Sequence, residues 1–490
     1  MRTGSEYREA LRGGRRLWIL GEGQIDDVTV HPATRPMVEE YVTWYDRHFD
    51  RAWQDLLLTP RDGVPVGYLV PRSADDLTRM GRCFSATTFL SAGNITHTPA
   101  YGHMIALGVL HAVGQCNASA SQIENAEAYR AKIAGTGRFL TFAAGAATIG
   151  YRMRPEPGER AALRIVRETD AGLIIRGKIG MHTSPAYAED VYIGANNGID
   201  FQGHRATFVV AVNAPGVTVI CRHRSVRAAN PFSSPLSSRF DELDAQMWLD
   251  DVLIPWDHVF LTEPSAEPVA RWLFWHQLYC WLSKAEFTLG LAFACTHAMG
   301  LKSHDTTIDY LIDLISDVQT VRSCLVATEL DPVFTDEGFC APNHAHLSAG
   351  SIAMLKARPH MSEILRTLPS SSLVVAPSDQ DLTRPELAAG LEESFGGGGY
   401  TALQRSALLH MAWDHVGSAL DHRESVYELH ANGGLPAWRN RLRRSFDRYE
   451  ELANGVSQQL GLPMPKVDLS SIREAPMVAR RPVAPPTPKA

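Results

Sequence analysis

Apolar residues recur three and four positions apart early in the chain, as in TRPMVEEYVTWYDRHFDRAW, which is the period of an amphipathic helix. The pattern predicts helices joined by loops over residues 1–140. Over 141–262 the period changes. RIVRETDAGLIIRGKIGMHT alternates short β-branched runs with turn residues, and ATFVVAVNAPGVTVICRH reads as two strands around an Asn-Ala-Pro-Gly turn. MWLDDVLIPWDHVF reads as a further strand stopped at Pro255. From Arg271 the helical period returns in RWLFWHQLYCWLSKAEFTLGLAFACTHAMG, TTIDYLIDLISDVQTVRSCLVATEL, SAGSIAMLKARPHMSEILRTL and TALQRSALLHMAWDHVGSALDHRESVYELHANG, runs long enough for bundle helices. Residues 461–490 form a Pro-rich tail. Helices, then strands, then a helical bundle over 263–460 is not an alternating βαβ order, which excludes a doubly wound nucleotide fold.

Composition changes this picture little. Of the 490 residues, 45% are hydrophobic and 21% charged, as in an ordinary globular chain of several packed domains. A net charge of −7 offers no basic footprint for nucleic acid. MRTGSEYREALRGGRR places charges where a signal peptide needs an apolar core, and Phe139–Tyr151 and Phe287–Leu301 fall short of a membrane span. A cytoplasmic protein that contacts neither membrane nor nucleic acid is the expectation. The seven cysteines (Cys83, Cys116, Cys221, Cys280, Cys295, Cys324, Cys340) show neither a CxxC nor zinc spacing, and read as small apolar residues. Cys295 and His297 lie close together but do not make a metal site. Trp248, Trp256, Trp272, Trp275 and Trp281 read as core and interface residues near the strand–helix junctions.

Five segments carry a resemblance, in order along the chain. They are the opening MRTGSEYREALRGGRRLWILGEGQIDDVTVHPATRP, then RETDAGLIIRGKIGMHTSPAYAEDVYIG, LDDVLIPWDHVF, LVVAPSDQDL and LLHMAWDHVGSALDHRESVYE. Together they resemble the oxygenase-component family of 4-hydroxyphenylacetate 3-monooxygenases. The resemblance implies an α+β, acyl-CoA-dehydrogenase-like fold, with an N-terminal helical domain, a central β-barrel and a C-terminal four-helix bundle. It also implies a homotetramer, and FAD that arrives as FADH2 from a separate NAD(P)H-dependent flavin reductase. Independently, no GxGxxG stands between a predicted strand and a helix: GEGQID lacks the third glycine and SFGGGGY lies between helical stretches. In this family reduced flavin and molecular oxygen form a C4a-hydroperoxide that hydroxylates an electron-rich aromatic ring.

Position by position the resemblance is incomplete. The family's substrate-side Gly-Arg-Ser-Pro-Asp-Tyr corresponds here to Asn94-Ile95-Thr96-His97-Thr98-Pro99-Ala100-Tyr101. Tyr101 is kept, His97 stands at the Arg and Ala100 at the Asp. Imidazole is the side chain suited to proton transfer near neutral pH, but it lacks the bidentate fork of a guanidinium. A histidine that only closes the loop before Pro99 is the competing reading. The family's flavin-binding Leu-Thr-His-Thr-Phe run is Leu140-Thr141-Phe142-Ala143-Ala144 here, so Phe142 replaces a substrate-facing His. Phe142, Ala143, Ala144, Arg152 and Thr183 are the candidate flavin contacts from the strand section, with Phe142 also facing substrate. Gly417, Ser418, Ala419 and Leu420 fall on the family's C-terminal flavin segment, where a Gly-Ser pair inside a helical run suits close approach of a ligand. The altered pocket points to a phenol-like or heteroaromatic substrate of specialised metabolism, free or carrier-tethered. Two other readings stand beside this one: an acyl-CoA-dehydrogenase-type flavoenzyme, for which no carboxylate base is identified, and a non-catalytic scaffold.

Overall fold

The computed structural model describes residues 1–116, 118–146, 163–194, 206–226, 230–261, 267–430, 433–460, 465 and 467–474. Several of its helices begin where side chains satisfy the orphan amides of a first turn. Ser73 and Asp76 form a reciprocal cap on Ala74–Phe89, and Ser119 and Gln122 do the same for Ala120–Thr136. Thr98 accepts from the amide of Tyr101 and Pro99 occupies the first turn of Pro99–Gln115, which fixes where that helix starts. Ala120–Thr136 ends at Gly137, whose φ of +63° is the left-handed cap that glycine adopts without strain.

Among the described residues ten strands make one mixed sheet, and Val333–Phe334 pairs with Cys340–Ala341 apart from it. Across it run Val259–Leu261, Thr207–Ala211, Asp190–Ile193, Leu140–Ala146, Gly172–Thr183, Asp244–Pro255, Val217–Cys221, Leu17–Ile19 and Gly23–Ile25, with Arg164–Thr169 also paired to Gly172–Thr183. This sheet takes the place expected for the β-barrel, and among the described residues its two outer strands are not paired to each other. Two details differ from the periodicity. The strands on either side of Asn213-Ala214-Pro215-Gly216 do not pair with each other: Thr207–Ala211 lies against Asp190–Ile193, whereas Val217–Cys221 lies against Asp244–Pro255. The hairpin Leu17–Ile25, within the stretch read as helical, joins the sheet edge parallel to Val217–Cys221. Strands this short carry too few residues for a period to show.

Glu267–Ala298, Asp305–Leu330, His344–Thr367 and the pair Ala402–Val416 and Ala419–His430 form the C-terminal bundle. Periodicity predicted the last two as one helix. Gly417, at φ −143°, leaves the helical region, and Ser418 Oγ accepts from the amide of Asp421 to start a new helix. Trp272, Trp275 and Trp281 are fully buried as expected of core residues, whereas Trp248 and Trp256 are 38% and 40% exposed. All seven cysteines are free, and Cys116 and Cys324 are only half-buried. The described part of the tail is held by Arg443, which donates to the carbonyls of Ile472 and Arg473; residues 475–490 lie outside the described residues.

Two buried ionic features mark the bundle. Lys284 donates to Glu424 at 2.8 Å and forms an ion pair with Glu428 at the same distance, and Arg358 pairs with Glu428 at 2.8 Å and Asp421 at 3.0 Å. By contrast Glu329, 5% exposed, accepts among the described residues from the Trp275 indole at 3.1 Å and the Tyr279 hydroxyl at 2.5 Å. Burial pushes its carboxyl up to about 7. The folded state therefore keeps a proton that the unfolded chain releases near the ordinary carboxylate value. Stability contributed by this group is complete below about pH 4.5 and is lost as pH rises through about 7. Glu329→Gln should flatten that slope, with a gain at pH 8 on the order of 2–3 kcal/mol, read from urea unfolding at pH 5 and pH 8.

Candidate active site

The loop Asn94–Thr98 carries its chemistry on a buried carboxylate from far along the chain. Glu242, fully buried at the start of Asp244–Pro255, accepts from the backbone amides of Thr96 (3.0 Å) and His97 (2.9 Å) and from the hydroxyls of Thr96 (2.7 Å) and Ser184 (3.2 Å). The Tyr41 hydroxyl lies 2.9 Å from the His97 carbonyl and 3.3 Å from Glu242. Burial raises the Glu242 pKa, but the donors and charges around it, His97 and Arg423 foremost, outweigh that and leave it at about 2. The carboxylate is ionised at any working pH.

With its backbone pinned at both ends, the His97 ring meets Tyr101 edge-to-face, centroids 4.5 Å apart, and Tyr427 at 6.2 Å. Tyr101 sits one turn into Pro99–Gln115, and its other side faces His276 at 5.6 Å. His97 and Tyr101 are 4% and 6% exposed. Burial drives the Tyr101 and Tyr427 phenols well above their ordinary value and drops His276 to about 3, so this wall presents protonated phenols and a neutral imidazole. Cys280 Sγ lies 3.7 Å from His276 Nδ1, and its thiol is also pushed up by burial.

Beside this lies a charged corner. Thr183 donates to Asp244 at 2.8 Å, and Arg423 grips the same carboxylate through Nε at 2.7 Å and Nη2 at 2.5 Å. Arg423 also contacts Glu424 and lies 3.9 Å from Glu242, while its guanidinium stacks over Tyr427 at 5.2 Å. Arg423 and Tyr427 are four residues apart on Ala419–His430, so one helix face delivers both. Arg222 donates a further bond to Asp244 at 3.0 Å. These cations hold the Asp244 pKa well below the usual carboxylate range.

The sequence candidates divide cleanly. Leu140–Ala146 and Gly172–Thr183 are antiparallel with Ala143 opposite His182, which sets Phe142 opposite Thr183 and on the same face. The Phe142 ring stacks at 5.8 Å on Tyr192 and closes over Gly194, where a Cβ would come within 2.9 Å of it. Ala143 is buried on the other face with His182, and Ala144 joins the strand through its backbone. Burial lowers His182 to about 4, and its register sets it on the strand face opposite Phe142 and Thr183. Gly417 and Ala419 are exposed, Ser418 is half-exposed and Leu420 is buried at the start of Ala419–His430. Asp414, upstream of this break, does not face a ligand: it accepts the amides of Leu236 and Ser237 at 2.8 Å and the Ser237 hydroxyl. Arg152 lies outside the described residues. Glu242, Asp244, Arg423 and Tyr427 were not among the sequence candidates.

FAD fits this arrangement on its donor set. Thr183, its proton committed to Asp244, keeps an acceptor lone pair for a ring N–H. Arg423 supplies a cation beside it, and the start of Ala419–His430 offers helix amides to a phosphate where Gly417 and Ala419 leave the backbone open. Among the described residues no cluster of His, Cys, Asp or Glu could hold a metal ion, and no helix is long and apolar enough to cross a membrane.

The sequence models for the N-terminal and C-terminal regions of 4-hydroxyphenylacetate 3-hydroxylase match residues 3–261 and 268–457. The 4-hydroxyphenylacetate 3-monooxygenase oxygenase component of Thermus thermophilus is 27% identical, covering 87% of this chain and 91% of its own. A Streptomyces globisporus monooxygenase acting on a (3S)-3-amino-3-(3-chloro-4-hydroxyphenyl)propanoyl group held by a peptidyl-carrier protein is 29% identical, covering 88% and 85%. The crystal structure of a 4-hydroxyphenylacetate 3-monooxygenase oxygenase component complexed with FAD and 4-hydroxyphenylacetate superposes with a TM-score of 0.85, at 23% identity over 94% of this chain and 99% of that one. An archaeal 4-hydroxybutyryl-CoA dehydratase from N. maritimus shares the fold at a TM-score of 0.80 and 16% identity, over 95% and 96%.

Proposed function

The chain belongs to the 4-hydroxyphenylacetate 3-hydroxylase family, and we propose that it is the oxygenase component of a two-component, FADH2-dependent monooxygenase that hydroxylates an electron-rich aromatic ring. The observation that carries this reading is the buried His97–Tyr101 pair, wired to Glu242 and facing Tyr427 and the Thr183–Arg423 corner. Bound reduced FAD supplies the two electrons that activate molecular oxygen. Phe142 and Thr183 on their shared strand face, the backbone at Ala143–Ala144 and the Gly417–Ala419 segment would hold it, and the remaining chemistry falls to the residues around the ring.

The imidazole of His97 takes the proton of a substrate hydroxyl, which raises electron density on the ring carbon to be oxidised. Tyr101 keeps its own proton and donates to the oxygen left behind. Phe142, partly exposed on the Thr183 face, supplies an apolar wall against which an aromatic ring packs. Burial of His97 and Tyr101 keeps water away from the reacting atoms. The carrier-tethered substrate of the Streptomyces globisporus relative brings a carrier-bound phenol within the same reading. Ile308, Ile312, Val326 and Leu330 expose apolar side chains along one helix, a surface that a homotetramer would cover. A separate NAD(P)H-dependent flavin reductase in the cytoplasm completes the system.

The test is cofactor handling. The purified chain should not oxidise NADH by itself, and in anaerobic titration should bind reduced FAD more tightly than oxidised FAD. Rapid NADH oxidation by the isolated chain, or no affinity for reduced FAD, would contradict the reading and favour the scaffold.

A further inference from the structure

One ring nitrogen of His97 is committed within the protein, and the commitment passes through Thr96. His97 Nδ1 lies 2.8 Å from Thr96 Oγ1, which lies 2.7 Å from Glu242 Oε2. Among the described residues no hydrogen bond reaches Nε2. A hydroxyl has one proton and two acceptor lone pairs, and an ionised carboxylate can only accept. Glu242 already accepts two backbone amides, which can only donate, and these donors together with the nearby Arg423 keep it ionised against its burial. The Thr96 proton therefore points to Glu242, and the two lone pairs of the Thr96 oxygen can only accept, from His97 Nδ1 and from the Tyr427 hydroxyl that also reaches it.

We propose that Glu242 and Thr96 are positioning residues that set the tautomer of His97, placing the ring proton on Nδ1 and leaving the Nε2 lone pair as the base that faces substrate. This rests on the monooxygenase reading for the substrate's role but not for the tautomer, which is a property of the resting protein. The same chain of bonds sets how a buried carboxylate stands beside the imidazole without touching it directly: Glu242 Oε2 is 3.9 Å from Nδ1, beyond hydrogen-bond reach, with the hydroxyl between them. It also separates this site from one built on Arg, because a guanidinium has no lone pair to offer and an imidazole held in this tautomer does.

Nitrogen-15 histidine NMR of the full-length protein reads the tautomer directly, with the His97 signals identified by their loss in His97→Gln. The wild type should show the proton on Nδ1. Thr96→Val, which keeps shape and removes the hydroxyl, should lose that preference, and Thr96→Ser should restore it. With a flavin reductase and a phenol that the wild type hydroxylates, Thr96→Val should lower product per FADH2 consumed by about tenfold with KM unchanged, and Thr96→Ser by less than about twofold. A wild-type proton on Nε2, or a Thr96→Val spectrum identical to wild type, overturns the proposal. If Thr96→Val does not fold, the wild-type and Thr96→Ser spectra decide it by themselves. Spectra as expected in a protein that hydroxylates no aromatic would leave the tautomer standing and overturn the functional reading instead.

Discussion

His97→Ala should lower hydroxylated product per FADH2 consumed by about a hundredfold, while oxygen uptake continues and its electrons appear as hydrogen peroxide. The magnitude follows from removing the group placed to take the substrate proton. Activation of oxygen does not need that proton, so the fast step survives and the productive one does not. The fold should persist, because Glu242 bonds to the backbone amide of His97, which alanine keeps. Tyr101→Phe should give a smaller loss, since it deletes one donor from a pocket whose base remains. Product by mass and peroxide by a coupled assay, measured on the same samples, separate this result from simple inactivation. An unchanged product yield in His97→Ala would return His97 to a residue that merely closes the loop before Pro99.

Lys284→Met should cost about 3–5 kcal/mol of stability, the largest structural effect expected of a single substitution here. Lys284, Glu424 and Glu428 are all at most 2% exposed, and Lys284 pairs with both carboxylates at 2.8 Å. Removing the cation strands Glu424 with only Arg423 as a partner, and Arg423 is already divided among Asp244, Glu242 and Glu424. Adding Glu424→Met to Lys284→Met should recover part of the loss, because Glu428 keeps Arg358 at 2.8 Å. Urea midpoints of the two variants check this, and a single variant as stable as wild type would contradict it. The cluster also ties the helix that carries Arg423 and Tyr427 to the bundle core, so packing in the bundle and geometry in the site share the same residues.

Much of the fold follows from periodicity, because long amphipathic helices such as Asp305–Leu330 repeat their pattern over many turns. The strand section was legible as texture but not as pairing: nothing local to Thr207–Ala211 says that it lies against Asp190–Ile193 and not against its sequence neighbour. At the site, the family resemblance pointed to His97, Tyr101, Phe142 and Thr183, and the structure sets His97 against Tyr101 and Phe142 opposite Thr183 in the strand register. Glu242, Asp244, Arg423 and Tyr427 escaped for a physical reason. RFDELDAQ looks like an acidic surface turn, and the partners of Glu242 lie 145 and 146 residues away in sequence. Only the i, i+4 spacing of Arg423 and Tyr427 was visible locally, and many exposed helices show such pairs. The Gly417–Ser418 break had a readable signal in the Gly-Ser pair, although the adjoining Asp414 turned out to clamp the Leu236–Ser237 loop.

The central claim is that this chain places an oxygen atom from molecular oxygen onto an aromatic ring, using electrons delivered on FAD by another protein. The direct measurement is turnover of a phenol panel, free and carrier-bound, under oxygen-18 gas with a flavin reductase, NADH and FAD. The account predicts a product heavier by a single labelled oxygen atom, formed only when the reductase or chemically reduced FAD is present, and lost with His97→Ala. Label recovered solely in hydrogen peroxide across the panel, or product oxygen drawn from water, would contradict it.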